Sequence, residues 1–177
     1  MDPRGPLMIE HRLIEKMIAV ISHEVGQFNR GKQPEPVFID TVVDFIRTYA
    51  DRTHHGKEEE IMFKTLAEKK MKPEDKKVMQ ELIKEHELGR AMVRAIVESY
   101  KKFTEAKKQE DFVSLIKSMK FLAQFYPTHI AKEDKVFFPA CLQYLTKEDQ
   151  QQMLAQFYDF DRKMIHEKYE AVVQGLE

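Results

Sequence analysis

The stretch HHGKEE at residues 54–59 returns 75 residues later as HIAKED at residues 129–134. Each stretch opens with a histidine and carries a glutamate four positions on. Residues four apart lie on one face of a helix, so each stretch predicts a histidine and a glutamate that point the same way. The same shift places the pair Glu10-His11 on Glu85-His86. The chain is therefore interpreted as a duplicated helical hairpin.

The repeated histidines and glutamates occupy positions where the helical pattern calls for apolar side chains. His11 lies between Leu7 and Ile14, for example. A buried carboxylate without a partner is very costly, and two facing carboxylates repel each other. A metal ion resolves both problems. The predicted metal ligands are His11, His54, Glu58, His86, His129 and Glu133.

Two histidines leave alternatives open. The shift pairs His54 with His129 but pairs its neighbour His55 with Ile130, so His54 is predicted as the ligand. His55 is then expected behind the ligands or at the surface. His166 has no counterpart in the duplication. A ligand role and a simple contact on the bundle are both open for it.

The chain of 177 residues has few glycines and prolines (6 and 7), and its apolar residues recur at helical spacing. No segment alternates with a period of two. We predict an all-α single domain, residues 1–177, with an up-down four-helix bundle in residues 7–142 and a fifth helix in 146–176. The predicted breaks are GKQPEP at 31–36, residues 70–73, a polar stretch at 104–110, and a capping box formed by Thr146 and Asp149.

Composition narrows the classes of function. The net charge is −1 and the lysine clusters are interleaved with acids, which argues against nucleic-acid binding. The longest apolar run, 136–142, is too short to cross a membrane, and no signal peptide pattern opens the chain, so a cytoplasmic protein is expected. Cys141 is the single cysteine. Nitrogen and oxygen must hold the metal, which suits iron; manganese and zinc accept the same ligands.

Together these motifs resemble the hemerythrin-like HHE cation-binding family over about residues 7–142. The C-terminal run 160–169 is similar to the extra helix of a prokaryotic branch of that family. The resemblance implies an up-down bundle around a non-haem di-iron centre. It also implies that the six predicted residues are the ligands, with Glu58 and Glu133 bridging the two irons and an oxo or hydroxo group completing the bridge.

The sequence departs from the pattern of the oxygen-carrying hemerythrins, in which five histidines and two carboxylates are the ligands. Four residues after His86, where a fifth histidine is expected, stands Arg90. Either His166 supplies that nitrogen or one iron keeps an additional open position. The expected function is a di-iron protein that binds or senses oxygen or nitric oxide. One alternative is an enzyme that reduces nitric oxide or peroxide with electrons from a redox partner. The others are an iron donor to iron–sulfur centres and a structural or signalling module.

Overall fold

The computed structural model describes residues 2–174, without the side chains of 169, 171 and 172. It contains five helical rods and no strand within those residues, which confirms the predicted all-α bundle. None of these helices has the length and apolarity needed to cross a bilayer. The rods are α1 (Arg4–Phe28); α2, made of Pro36–Asp44, Phe45–His55, Glu58–Phe63 and Lys64–Ala67; α3 (Pro73–Ala106); α4, made of Gln109–Lys132, Glu133–Phe137 and Phe138–Cys141; and α5 (Lys147–Gln174).

The helix ends follow local sequence signals. α2 and α3 each begin with a proline, whose missing N–H costs nothing in a first turn. At the start of α5, Thr146 N–H donates to Asp149 at 2.9 Å and Asp149 N–H donates to the Thr146 hydroxyl at 3.1 Å, which confirms the capping box. The predicted break at 104–110 is shorter, because α3 continues to Ala106 and turns at left-handed Lys107 (φ 54°). The predicted end of α5 at 176 lies outside the described residues.

The packing gives a four-helix bundle with one helix added. α1 and α3 each pack along α4 and also contact α2, so the first four helices enclose a common core. α5 packs on the outside of α2. This arrangement gives α2 a special position, because it lies between the bundle core and the added helix.

The core consists of two apolar clusters with a polar layer between them. One cluster includes Leu7 of α1 and Leu82 of α3, and the other includes Ile14 of α1 and Val93 of α3. His11 and the other predicted ligands therefore lie at the level where one apolar cluster ends and the next begins. The two clusters shield this layer from water at both ends.

Three segments around that layer are wound as π-helix, with hydrogen bonds from residue i to i+5. They are Phe45–His55, Glu58–Phe63 and Glu133–Phe137. A π turn holds more residues than an α turn, so neighbouring residues are separated by a smaller angle around the axis. Such turns are frequent at functional sites. Here they coincide with the two repeated stretches that carry the predicted ligands.

Candidate metal centre

Seven side chains converge in the polar layer, each no more than 2% exposed. They are His11, His54, His55, His86, His129, Glu58 and Glu133. The Nε2 atom of every one of these histidines and both oxygens of each glutamate are buried without a hydrogen-bond partner. Unpaired buried polar atoms are rare because each forfeits the hydration that it had in the unfolded chain. Nine of them at one place indicate a site built for positive charge.

The donor atoms fall into two groups, and within each group all lie within 4.8 Å of one another. The first group is His11, His54, Glu58 and Glu133, and the second is His55, His86 and His129. Nitrogen and oxygen ligands lie about 2.0–2.2 Å from a transition-metal ion, so ligands of one ion are up to roughly 4 Å apart. The donors of each group therefore lie close to the spacing that one metal ion requires.

The two glutamates connect the groups. Glu133 Oε2 lies 3.1 Å from His11 Nε2 in the first group, while its Oε1 lies 3.3 Å from His129 Nε2 in the second. Glu58 Oε2 lies 3.8 Å from His54 Nε2 and 3.5 Å from His86 Nε2. Each carboxylate therefore faces nitrogen donors from both groups. This is the placement that carboxylates bridging a pair of metal ions require.

The other ring nitrogen of each histidine is held by an acid. The Nδ1 contacts are His11 to Asp134 (2.7 Å), His54 to Glu10 (2.9 Å), His86 to Glu59 (2.7 Å), His129 to Glu85 (2.8 Å) and His55 to Asp51 (3.4 Å). An ionised carboxylate only accepts hydrogen bonds, so Nδ1 carries a proton and donates. In the neutral imidazole that binds a metal, each Nε2 then directs its lone pair to the centre.

These contacts obey the same shift of 75 residues as the sequence. Glu10 holds His54, and its counterpart Glu85 holds His129. Neighbouring residues of a helix project about 100° apart, so neither acid follows its adjacent histidine into the centre. In the structure they point sideways to the histidine of the neighbouring helix. The signal was present, because an acid directly precedes the ligand candidate in both copies.

The electrostatics of the centre favour added positive charge. Burial, reinforced by Glu133, raises the pKa of Glu58 well above its usual range. Burial also opposes ionisation of Glu133, but the surrounding histidines, His129 first, lower its pKa well below the usual range. Burial disfavours the charged form of His11, yet Asp134 and Glu133 outweigh it and raise that pKa to about 9. Burial lowers the pKa of His55 to about 3, so this imidazole is neutral at pH 7.

The structure brings all six predicted ligand residues together and adds a seventh. Neither place predicted for His55 is observed: it is not at the surface, because it is 2% exposed, and it does not lie behind the ligands, because it groups with His86 and His129. His166, which was predicted as a possible ligand, does not join the converging side chains. It is exposed on α5 and belongs to neither donor group.

Arg90, which stands where a fifth histidine was expected, supports the site from outside. Its guanidinium donates to Asp51 and to Glu59, both at 2.8 Å. Those two acids are the Nδ1 partners of His55 and His86. Arg90 therefore fixes the carboxylates that orient two histidines of the second group.

Comparison with known proteins agrees with this geometry. The family model described as the hemerythrin HHE cation-binding domain matches residues 4–141, which is more than half of the chain. Those residues hold all seven converging side chains. Searches of the curated proteins and of the solved structures gave no match.

Proposed function

This chain belongs to the hemerythrin HHE cation-binding family, and on that premise we propose that it holds two iron ions and uses them to bind or sense oxygen or nitric oxide. His11 and His54 hold one ion, while His55, His86 and His129 hold the other. Glu58 and Glu133 bridge the pair. The observation that carries the proposal is the set of nine buried donor atoms without partners.

The donor set itself favours iron. Five imidazoles and four carboxylate oxygens without sulfur suit iron and, by the same chemistry, manganese or zinc. These nine protein donors would hold the two ions and would leave room for a small exchangeable ligand. Bound iron would supply the redox chemistry and the affinity for a diatomic molecule. The protein supplies oriented imidazoles, carboxylates placed between the two groups, and a layer that apolar clusters shield at both ends.

His55 bears on the difference from the oxygen-carrying hemerythrins, namely Arg90 at the position where a fifth histidine is expected. Arg90 removes one imidazole from α3, but His55 supplies one from α2 to the same group as His86. The total returns to five histidines and two carboxylates. This count supports reversible binding of a diatomic ligand, because the set without His55 has one nitrogen fewer than the oxygen-carrying hemerythrins.

The test is iron content measured for a matched series of variants. Wild-type protein should hold about two irons per chain. His54→Ala, His55→Ala and Glu133→Ala should each lose most of one or both ions, because each removes a donor. His166→Ala is the control and should retain two. Loss of iron in His166→Ala with full occupancy in His55→Ala would refute the assignment of the second group.

The mode of action needs a separate measurement. Reversible uptake of oxygen or nitric oxide by the iron-loaded protein, without consumption of a reductant, is the expected result. Steady turnover of nitric oxide or peroxide with a reductant would assign an enzyme instead. Ready transfer of iron to an apo iron–sulfur protein would assign a donor.

A further inference from the structure

A pocket of about 270 Å³ reaches the metal centre from one side of the bundle. His55 and His86 line it, and both belong to the second donor group. Gly89 of α3 forms part of its wall, and Tyr126 lies across from that glycine. The pocket therefore connects the buried donors to the surface where α2 and α3 meet.

The residues equivalent by the duplication to those that line the pocket show why the pocket is open. The shift of 75 residues pairs Gly89 with Ile14 and His55 with Ile130, and both isoleucines are buried in the apolar core. Two branched side chains, on α1 and α4, thus occupy the positions equivalent to those that line the pocket between α2 and α3. A Cβ atom on Gly89 would come no closer than 3.7 Å to Phe125 and 4.0 Å to the Tyr126 hydroxyl. A side chain can therefore be attached at this position without a clash at its Cβ atom.

The pocket is also strongly basic. Arg47, Arg90 and Arg94 line it, against the single acid Asp51. Arg90 is paired with Asp51 and Glu59, whereas Arg47 and Arg94 are exposed and enter no ion pair among residues 2–174. The equivalent of Arg94 in the other copy is an alanine. Two uncompensated guanidinium groups therefore stand beside the opening.

A second pocket reaches the centre at His129, and its lining differs in kind. Glu85, Phe121 and Phe125 line it, and its lining contains no arginine or lysine. An anion that approached there would meet an acid and two aromatic rings. The two approaches to the centre are thus unequal in charge.

We propose that the pocket lined by Gly89 and the three arginines admits small inorganic anions to the metal centre. The inference rests on the proposed function and names a ligand class for the same site. Positive side chains in a cleft raise the local concentration of anions and their rate of association. Guanidinium is also more weakly hydrated than an ammonium group, so it gives up less hydration when it contacts an anion.

The first test blocks the pocket and uses azide as the probe. Azide association with iron-loaded protein is followed by absorption in wild type, in Gly89→Ala and in Gly89→Ile, which installs the residue of the other copy. We expect graded slowing, about tenfold or more for the isoleucine. Gly26→Ile is the control, because Gly26 is also helical but has open space around it, and azide association should not change.

The second test removes charge without touching the donors. The double variant Arg47→Gln/Arg94→Gln should bind azide about tenfold more slowly, and its rate should depend less on ionic strength. Association of nitric oxide, a neutral molecule, should not change. The control Arg30→Gln/Lys120→Gln removes the same charge from exposed positions elsewhere and should leave azide association as in wild type.

Iron content is measured first in every protein, so that two failures stay distinct. Wild-type protein without bound metal overturns the proposed function. Two irons per chain, with azide association unchanged in both Gly89→Ala and the double arginine variant, overturns the pocket alone. If Gly89→Ile loses iron, its azide association no longer tests the pocket. Gly89→Ala and the double arginine variant then decide whether the pocket admits anions.

Discussion

Lys57 and its counterpart Lys132 have different surroundings in the two copies of the hairpin. Lys57 is fully buried between Glu10 of α1 and Asp161 of α5, with Asp161 at 2.7 Å. Lys132 pairs with Glu85 but keeps 27% of its side chain exposed. The lysine in each copy anchors the acid that holds a histidine. Only in the first copy is this chain of contacts sealed by the added helix.

This difference predicts unequal effects of the same substitution. Glu10→Gln should destabilise the fold by about 2–3 kcal/mol, because the buried ammonium of Lys57 loses one of its two carboxylates. Glu85→Gln should cost about 1 kcal/mol or less, since water reaches Lys132. Both should weaken metal binding about 10- to 100-fold, because each replaces the charged acceptor of a histidine Nδ1–H with a neutral amide.

Urea unfolding of the metal-free proteins measures the first effect, and competition with a chelator measures the second. Equal losses of stability in the two variants would contradict the sealing of Lys57. Asp159→Asn, on an exposed position of α5, serves as a control for changes of charge near Asp161.

His55 shows what residue-level reasoning from the sequence can and cannot reach. The duplication test identified six converging residues, because it rewards positions at which both copies agree. His55 opposes Ile130, so the same test discarded it. A comparison that selects positions on which both copies agree cannot find a donor that only one copy has. Its two signals were local: a second histidine in the motif and a missing histidine on α3.

At the scale of the helices, the sequence predicted most boundaries because prolines, the capping box and helical spacing mark them physically. It did not predict the π segments. Apolar spacing over one or two turns does not distinguish a slightly wider turn from an α turn, and no residue type enforces one. In Phe45–His55 this widening accompanies the burial of both His54 and His55. The missed ligand candidate and the missed geometry are therefore parts of one feature.

The contact between α2 and α5 depends on a glycine. A Cβ atom on Gly56 would lie 2.7 Å from Cζ of Phe160, closer than atoms can pack. Gly56→Ala should therefore displace Phe160 and cost about 1–3 kcal/mol, despite the better helix propensity of alanine. Gly26→Ala, with open space around its Cβ, should instead stabilise by about 0.5–1 kcal/mol. Thermal unfolding of the metal-free proteins measures both.

Phe160→Leu supplies the check on this mechanism. Placed in the Gly56→Ala background, it should recover much of the lost stability, because the clash is with the far end of the phenylalanine ring. A double-mutant cycle in which the two effects simply add would show that Gly56 and Phe160 are not coupled, and would contradict close packing as the cause.

For the whole molecule, the metal centre acts as a central layer of the core. Apolar clusters lie on both sides of it, and its donors come from all four helices of the bundle. Without a cation, the layer brings unpaired buried donors together at a cost to folding. Metal affinity and fold stability are therefore linked, since the site exists only when the four helices are assembled.

Metal loading should consequently raise the melting temperature. At a free metal concentration about a thousand times the dissociation constant, binding adds about 4 kcal/mol. For a chain of this size that corresponds to a rise of about 8–16 °C. Differential scanning calorimetry of stripped and reloaded protein measures it. His54→Ala should show a much smaller rise, whereas His166→Ala should behave as wild type. An equal rise in all three would mean that metal binds elsewhere.

Metal binding should also be coupled to protons, with a definite sign. The pKa of His11 is raised to about 9, so in metal-free protein this histidine is protonated at pH 7, and Glu58, with its raised pKa, tends the same way. An incoming ion must displace these protons, so affinity should increase as pH rises from 6 to 8. One displaced proton gives about a tenfold increase per pH unit. Zinc titration in weak buffer should release protons at pH 7, and an affinity that stays constant over this range would contradict the charge balance derived for the centre.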